Sequence, residues 1–233
     1  MRLLVLNPNS TRAMTEAAAV VARRMLPGAE VLAWTNRDGP PAIQGPEDGD
    51  AAVPGVLALL PAARDAGVDA IVLACFDDTG LREAQAAAHC PVLGIGQAAF
   101  HVAALSGRRF SVVTTLAVSV PVIEANVAAY GFAGTCARVR PSGLPVLEVE
   151  AAGPIVMARL QEEIAGAVRE DGADVVVLGC AGMAPLRPAL EASSLVPLVD
   201  GVEAACAMAQ GLATWRGRGR TSDDGSDRPA AQA

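Results

Sequence analysis

The chain has 233 residues, a net charge of −7 and a pI near 4.9, and 52% of its residues are apolar. That is ample for a buried core of one large domain or two small ones, while the acidic balance excludes nucleic acid and anionic lipid as partners, since both demand concentrated basic charge. All 18 basic residues are arginine, so no internal Schiff base can form and pyridoxal-phosphate chemistry is excluded.

In chain order, short β-branched runs alternate with Ala-rich helical stretches, the pattern of parallel sheets covered by helices on both faces. The runs predict strands at Leu3 to Asn7, Glu30 to Trp34, Ala70 to Ala74, Val92 to Ile95, Ser111 to Thr115, Thr135 to Val139, Val175 to Leu178 and Val196 to Val199. Between the second strand and the helix after it, "NRDGPPAIQGPEDG" (36–49) is too rich in Pro and Gly, and too long, for a tight turn. It reads either as a lid or as a solvated excursion. From Thr214 onward the apolar pattern is lost, and a disordered tail over 214–233 is expected.

No apolar run approaches the roughly 18 residues of a spanning helix, so no membrane segment is expected. "MRLLVLNPNS" breaks after a few apolar residues, where a secretory core would run for about 7 to 15, which predicts a cytoplasmic protein. The five cysteines then read as reduced thiols. The two histidines have no ligand spacing, so no metal is expected.

The chain also repeats itself. "DAGVDAIVLACFDD" from Asp65 returns as "EDGADVVVLGCAGM" from Glu170, 105 residues later. "PVLGIGQAAFHVA" from Pro91 matches "PLVDGVEAACAMA" from Pro197 at 106, and "LLVLN" from Leu3 matches "SVVTT" from Ser111 at 108. Order and spacing preserved across three segments predict two pseudo-symmetric α/β lobes, each a four-stranded parallel sheet flanked by helices. The first would span 1–96, completed by a helix at 201–213, and the second 97–200.

Ligands of open α/β sheets bind beyond the carboxyl ends of strands. Those ends carry "NPNST" (Asn7 to Thr11), "CFDD" (Cys75 to Asp78), Thr114 with Thr115, and "CAGM" (Cys180 to Met183). A cysteine finishing a buried strand is ordinarily a small core hydrophobe. Two of them at equivalent positions of a repeat, each followed by a polar or Gly-containing turn, point instead to chemistry across one cleft. A thiolate on one face of a carbon next to a carbonyl can remove a proton while a thiol on the other face returns one, which inverts the centre. A helix start after each cysteine would lower its pKa, and backbone N–H groups after Cys75 and Cys180 would stabilise developing oxyanion charge.

The remaining signals are weaker. Cys90, Cys136 and Cys206 read as packing residues, and His89 and His101 as structural or surface groups. Asp77 and Asp78 either polarise Cys75 or cap the helix that follows. "GIGQAA" fits a dinucleotide fingerprint, but the next strand ends in Thr114 and Thr115 rather than in the acid that a ribose needs. No nucleophile elbow, Walker loop or C-x-x-C pair is present.

In combination, "LLVLNPNST", "GPPAI", "VLACFDDTGL", "PVLGIGQAA", "SVVTT", "LGCAGM" and "PLVDGV" resemble the aspartate/glutamate racemase superfamily, and within it the hydantoin and allantoin racemase branch. The resemblance covers nearly the whole chain. It implies two lobes, no cofactor, catalysis by Cys75 and Cys180, a small-molecule substrate and a homo-oligomer. It further implies a ligand held by Asn9, by Ile43, by the backbone after each cysteine (Phe76, Asp77, Ala181, Gly182) and by Thr114 and Thr115. Amino-acid racemases of the superfamily place Asn-Thr after the first cysteine and Thr after the second, groups suited to a free carboxylate. Here Phe76-Asp77 and Ala181-Gly182 stand there, which favours a neutral ring. "CFDDTGL" also departs from typical hydantoin racemases, which carry a smaller residue and a proline in that motif. Related arylmalonate decarboxylases keep a single cysteine, whereas this chain has both.

The expected function is therefore racemisation of 5-substituted hydantoins or allantoin. The alternatives are racemisation of aspartate or glutamate, isomerisation of maleate type, or silent binding of a small molecule.

Overall fold

The computed structural model describes residues 1–107 and 109–220, with side chains as far as Trp215. Among the described residues eight strands form two separate sheets of four: β1 (Arg2–Asn7), β2 (Glu30–Thr35), β3 (Ala70–Leu73) and β4 (Val92–Gly94) in one, β5 (Phe110–Thr114), β6 (Cys136–Pro141), β7 (Val175–Gly179) and β8 (Leu198–Asp200) in the other. All pairings are parallel, and the strand orders, β2-β1-β3-β4 and β6-β5-β7-β8, are the same when each sheet is numbered from its own first strand. Leu3 pairs with Ala70 in the first sheet and Phe110 with Val175 in the second, so each cysteine-bearing strand lies beside the central first strand of its own sheet.

Parallel strands need crossovers, and helices supply them. These are α1 (Arg12–Met25), α2 (Pro46–Asp65), α3 (Leu81–Ala87), α4 (Ile95–Ser106), α5 (Val120–Ala129), α6 (Val146–Ala151), α7 (Pro154–Arg169), α8 (Arg187–Glu191) and α9 (Gly201–Arg220). Because helices cover both faces, the inner strands are apolar throughout: "AIVL" of β3 and "VVVLG" of β7 are buried at every residue. The edge strands β2 and β6 are only partly buried and carry Glu30 and Arg138.

A central core joins Leu3, Val5 and Val72 of the first sheet to Val112, Val175 and Val177 of the second through residues of α1, α4, α5 and α9. Outer cores lie beneath α2 and α3 on one side and beneath α6 and α7 on the other. Each fully buried Leu or Val contributes about 1.5–3 kcal/mol. The helices α4 and α9, which begin at positions equivalent in the repeat, meet at their starts: a Cβ on Gly201 would lie 2.6 Å from the Ile95 carbonyl oxygen, so only glycine permits this approach.

Strand limits read from sequence shift by one or two residues. Ile95 opens α4 rather than ending β4, and β8 begins at Leu198 rather than Val196. Within the stretch 214–233 expected as a tail, α9 continues to Arg220. Trp215, in that part of the helix, is exposed. Residues 221–233 lie outside the described residues. Among the described residues, no helix is long and apolar enough to cross a membrane.

Candidate active site

The carboxyl ends of β1, β3, β5 and β7 converge on one cavity with about 360 Å³ of empty space, counting its open mouth. Cys75 follows β3 and Cys180 follows β7, and both line this cavity. Their surroundings match. Each sulfur accepts a hydrogen bond from the backbone N–H two residues on, Asp77 for Cys75 and Gly182 for Cys180. Cys75 also has the Thr79 hydroxyl at 3.5 Å.

Neither thiol is acidified. Burial, then the charge of Asp77, pushes Cys75 well above the ordinary thiol range, against the pull of Thr79 and the Asp77 N–H; Cys180 adds to the rise. Cys75 retains partial contact with solvent, which tempers that penalty. Burial likewise pushes Cys180 up to about 12, opposed by the Gly182 N–H and assisted by Asp77, Glu150 and Asp200. The lowering expected from helix starts does not materialise, for a local reason. Cys75 is followed by a loop and then the seven-residue α3, and Cys180 by a 3-10 turn (Ala181–Leu186), so no long helix aims its amino end at either sulfur.

Most residues named from sequence come together here. Asn9, Ile43, Phe76, Asp77, Thr114, Thr115 and Ala181 line the cavity. Gly182 does not; its N–H serves Cys180, and a Cβ on it would face the Glu150 carboxylate at 3.4 Å. Asn9 is pre-set by the Asn-Pro-Asn turn. Its Oδ1 accepts from Asn7 Nδ2 (2.8 Å) and Thr11 N (2.9 Å), while its amide nitrogen meets only the Met14 sulfur, at 3.5 Å. A thioether is a weak acceptor, so this N–H₂ remains suited to a ligand carbonyl. Thr114 donates its hydroxyl to Gly179 O at 3.0 Å, tying the ends of β5 and β7 together beside Cys180.

The "CFDD" loop is held mainly from the other half of the chain. Asn126 Nδ2 donates to the Asp77 carbonyl at 2.8 Å, and the Tyr130 hydroxyl donates to Asp78 Oδ2 at 3.0 Å. Asp78, buried and at a left-handed φ of 51°, accepts from the N–H groups of Gly96 (2.9 Å) and Gln97 (2.7 Å). It therefore caps α4, not the helix directly after it. The glycines of "GIGQAA" make room for that carboxylate, and the amino end of α4 is closed to a phosphate. Asp77 differs: it lines the cavity, and its Oδ2 is buried with no hydrogen-bond partner. Burial raises it to about 7, opposed by the Ser119 hydroxyl.

Met14, Ala74, Ser119, Val146 and Gly179 complete the lining. Sequence reasoning passed over all five. Ala74 and Gly179 directly precede the cysteines, and Met14 and Ser119 sit shortly after the "NPNST" and "TT" segments, so proximity to those motifs was a usable signal. Val146 offers none, because only the fold brings α6 to the mouth. Among the described residues the lining contains no arginine or histidine, and Asp77 is its one carboxylic acid.

Residues 3–209 match the family described as Asp/Glu/Hydantoin racemase. The chain is 45% identical over 214 residues to a hydantoin racemase of Rhizobium meliloti, an alignment covering 91% of this chain and 88% of that protein. Its structure is similar to that of an allantoin racemase from Klebsiella pneumoniae, with a TM-score of 0.89 and 38% identity over 100% of this chain and 97% of the other. A similar match is to the allantoin racemase of Pseudomonas fluorescens, with a TM-score of 0.87 and 35% identity over the whole of both chains.

Proposed function

Given that the chain belongs to the Asp/Glu/hydantoin racemase family and is thus an isomerase of the racemase type, we propose that it racemises 5-substituted hydantoins or allantoin without a cofactor, with Cys75 and Cys180 as paired base and acid. The observation that carries this reading is the placement of both thiols, from equivalent strands of the two sheets, on the wall of one cavity. Hydantoin and allantoin racemases are both among the similar proteins, and both substrates present the same ring, whose C5 lies between a carbonyl and an N–H.

The ring binds with C5 between the sulfurs, one of which enters as thiolate and the other as thiol. The thiolate takes the C5 proton, the C–H electron pair moves into the adjacent carbonyl, and an enolate forms. The opposite thiol then delivers its own proton to the other face of C5, the carbonyl is restored, and the protonation states of the sulfurs are exchanged. The reverse passage serves the other enantiomer. Burial makes each thiolate scarce but a stronger base than a free cysteine, which suits a weak carbon acid. The enolate oxygen is received by backbone N–H groups of Phe76 and Ala181, the residues after each cysteine, or by the Asn9 amide.

The test follows each enantiomer of a hydantoin panel and of allantoin in D₂O, with aspartate and glutamate alongside, recording optical rotation and α-deuterium against the rate without enzyme. Rotation is expected to fall to zero as solvent deuterium enters the rings, with the amino acids unchanged. Cys75→Ser and Cys180→Ser are each expected to lose about 10²–10⁴-fold in racemisation, keeping at most one-sided exchange. Full activity in both variants would overturn the mechanism.

A further inference from the structure

The Asp77 carboxylate is an unusual wall for a cavity of this kind. It is mostly buried, its Oδ2 has no partner, and the lining supplies no cation to balance it. The backbone here is also held: the Asp77 carbonyl accepts from Asn126 Nδ2 at 2.8 Å. A buried acceptor without a donor is costly. Among the described residues the other two buried orphan oxygens, on Glu150 and Asp200, belong to residues outside the cavity lining, so of these Asp77 alone presents an unsatisfied carboxylate to a ligand.

We propose that Asp77 sets the charge specificity of the site: Oδ2 accepts a hydrogen bond from a ring N–H of a neutral cyclic ureide, and the same carboxylate excludes the N-carbamoyl amino acid formed when such a ring is hydrolysed open. The inference deepens the racemase reading and rests on it. Ring and ring-opened acid share substituent and size and differ chiefly in the carboxylate, so steric fit separates them poorly. A like charge beside an uncompensated Asp77 separates them well. Exclusion also weakens as Asp77 takes up a proton, so the discrimination fades from pH 8 towards pH 6.

The experiment uses probes that cannot turn over. 5,5-Dimethylhydantoin has no proton at C5, and its ring-opened form, N-carbamoyl-2-aminoisobutyrate, is the matched carboxylate. Calorimetry on the full chain at pH 8 is expected to give at least about tenfold tighter binding of the ring, with the gap shrinking at pH 6. In Asp77→Asn the gap is expected to close to within about threefold, mainly through gained affinity for the acid. In Asp77→Ala ring affinity is expected to fall about tenfold, and KM for a racemising hydantoin to rise more than kcat falls. Urea midpoints of Asp77→Asn and Asp77→Ala beside the unaltered chain guard against a folding artefact, since a folded variant keeps a cooperative transition. A gap that survives undiminished in Asp77→Asn, or equal binding of both probes by the unaltered chain, overturns the proposal. If the gap behaves as expected but no hydantoin or allantoin racemises, the activity reading fails instead.

Discussion

The carboxylate of Asp78 occupies the space that a side chain at Gly94 would need: a Cβ built on Gly94 collides with it, and one on Gly96 would lie 3.0 Å from its other oxygen. The repeat makes this more than a local fit. Gly94 corresponds to Asp200 at the 106-residue offset, and Asp200 caps α9 with its own side chain, its Oδ1 accepting from Glu203 N at 2.9 Å. Each half thus places a carboxylate at the amino end of the helix after its fourth strand, one from the strand end itself and one from the cysteine loop. The second solution ties the cysteine loop to the α4 cap.

A double-mutant cycle tests that coupling. Gly94→Ala is expected to cost about 3 kcal/mol through the clash, and Asp78→Ala about 2–3 kcal/mol through the two orphaned N–H groups and the Tyr130 hydroxyl. The double variant is expected to lose clearly less than the sum, because removing the carboxylate vacates the space the new methyl needs. Urea midpoints of the four proteins check it, and strict additivity would refute the shared-space account.

Among the described residues four carboxyls are raised by burial: Asp77 and Asp78 to about 7, Asp200 to about 6, and Glu150 above the usual carboxylate range. A folded-state value above the unfolded one means the native protein binds more protons between the two. Their contribution is therefore full below about pH 4 and lost as pH rises towards 7. The lowered Glu170 acts in the opposite sense only below its ordinary range, outside this window. Stability is expected to decline from pH 5 to pH 8, and Asp77→Asn to remove part of the slope. Urea midpoints at unit pH steps measure it; a rise over that interval would contradict the burial assigned to these groups.

The thiols make a parallel prediction. With Cys180 pushed up to about 12 and Cys75 also raised, the thiolate fraction grows about tenfold per pH unit across the neutral and mildly alkaline range. Alkylation of these two cysteines by iodoacetamide, followed by peptide mass mapping, is expected to climb without a plateau from pH 7 to pH 9.5. A plateau near pH 7 would show an acidified thiol and restore the helix-start expectation.

What was legible in the sequence was whatever repetition and local pattern encode. The β-branched runs located all eight strands, and the 105-residue return of the cysteine motif put Cys75 and Cys180 at matching strand ends. Features that depend on chain segments meeting in space were not legible. Val146 reaches the cavity only because α6 folds over it, and Asp78 caps a helix 17 residues further on rather than its neighbour. The direction of the thiol shifts was misjudged for the same reason. Motif context suggested helix fields, whereas burial, a property of the packed whole, dominates.

The segment 36–49 is anchored in a way that makes a final prediction. Asn36, fully within the protein, donates its Nδ2 to Pro8 O (2.8 Å) and Ala52 O (3.0 Å), and a Cβ on Gly39 or Gly55 would strike it. Further along, Pro40 O accepts from Ser10 N, and Gln44 Oε1 accepts from Val146 N at 3.0 Å, so Ile43 is held between the Asn-Pro-Asn turn and α6. Such a segment is a packed wall of the cavity rather than a solvated excursion. Asn36→Ala is expected to cost about 2–3 kcal/mol, since two buried carbonyls lose their donor. Gln44→Ala removes one bond at the rim and is expected to cost less than about 1 kcal/mol while raising KM several-fold, because Ile43 and Val146 lose their common brace. Steady-state kinetics beside urea unfolding separate the two outcomes. An unchanged KM in Gln44→Ala would show that the wall holds its shape without that bridge.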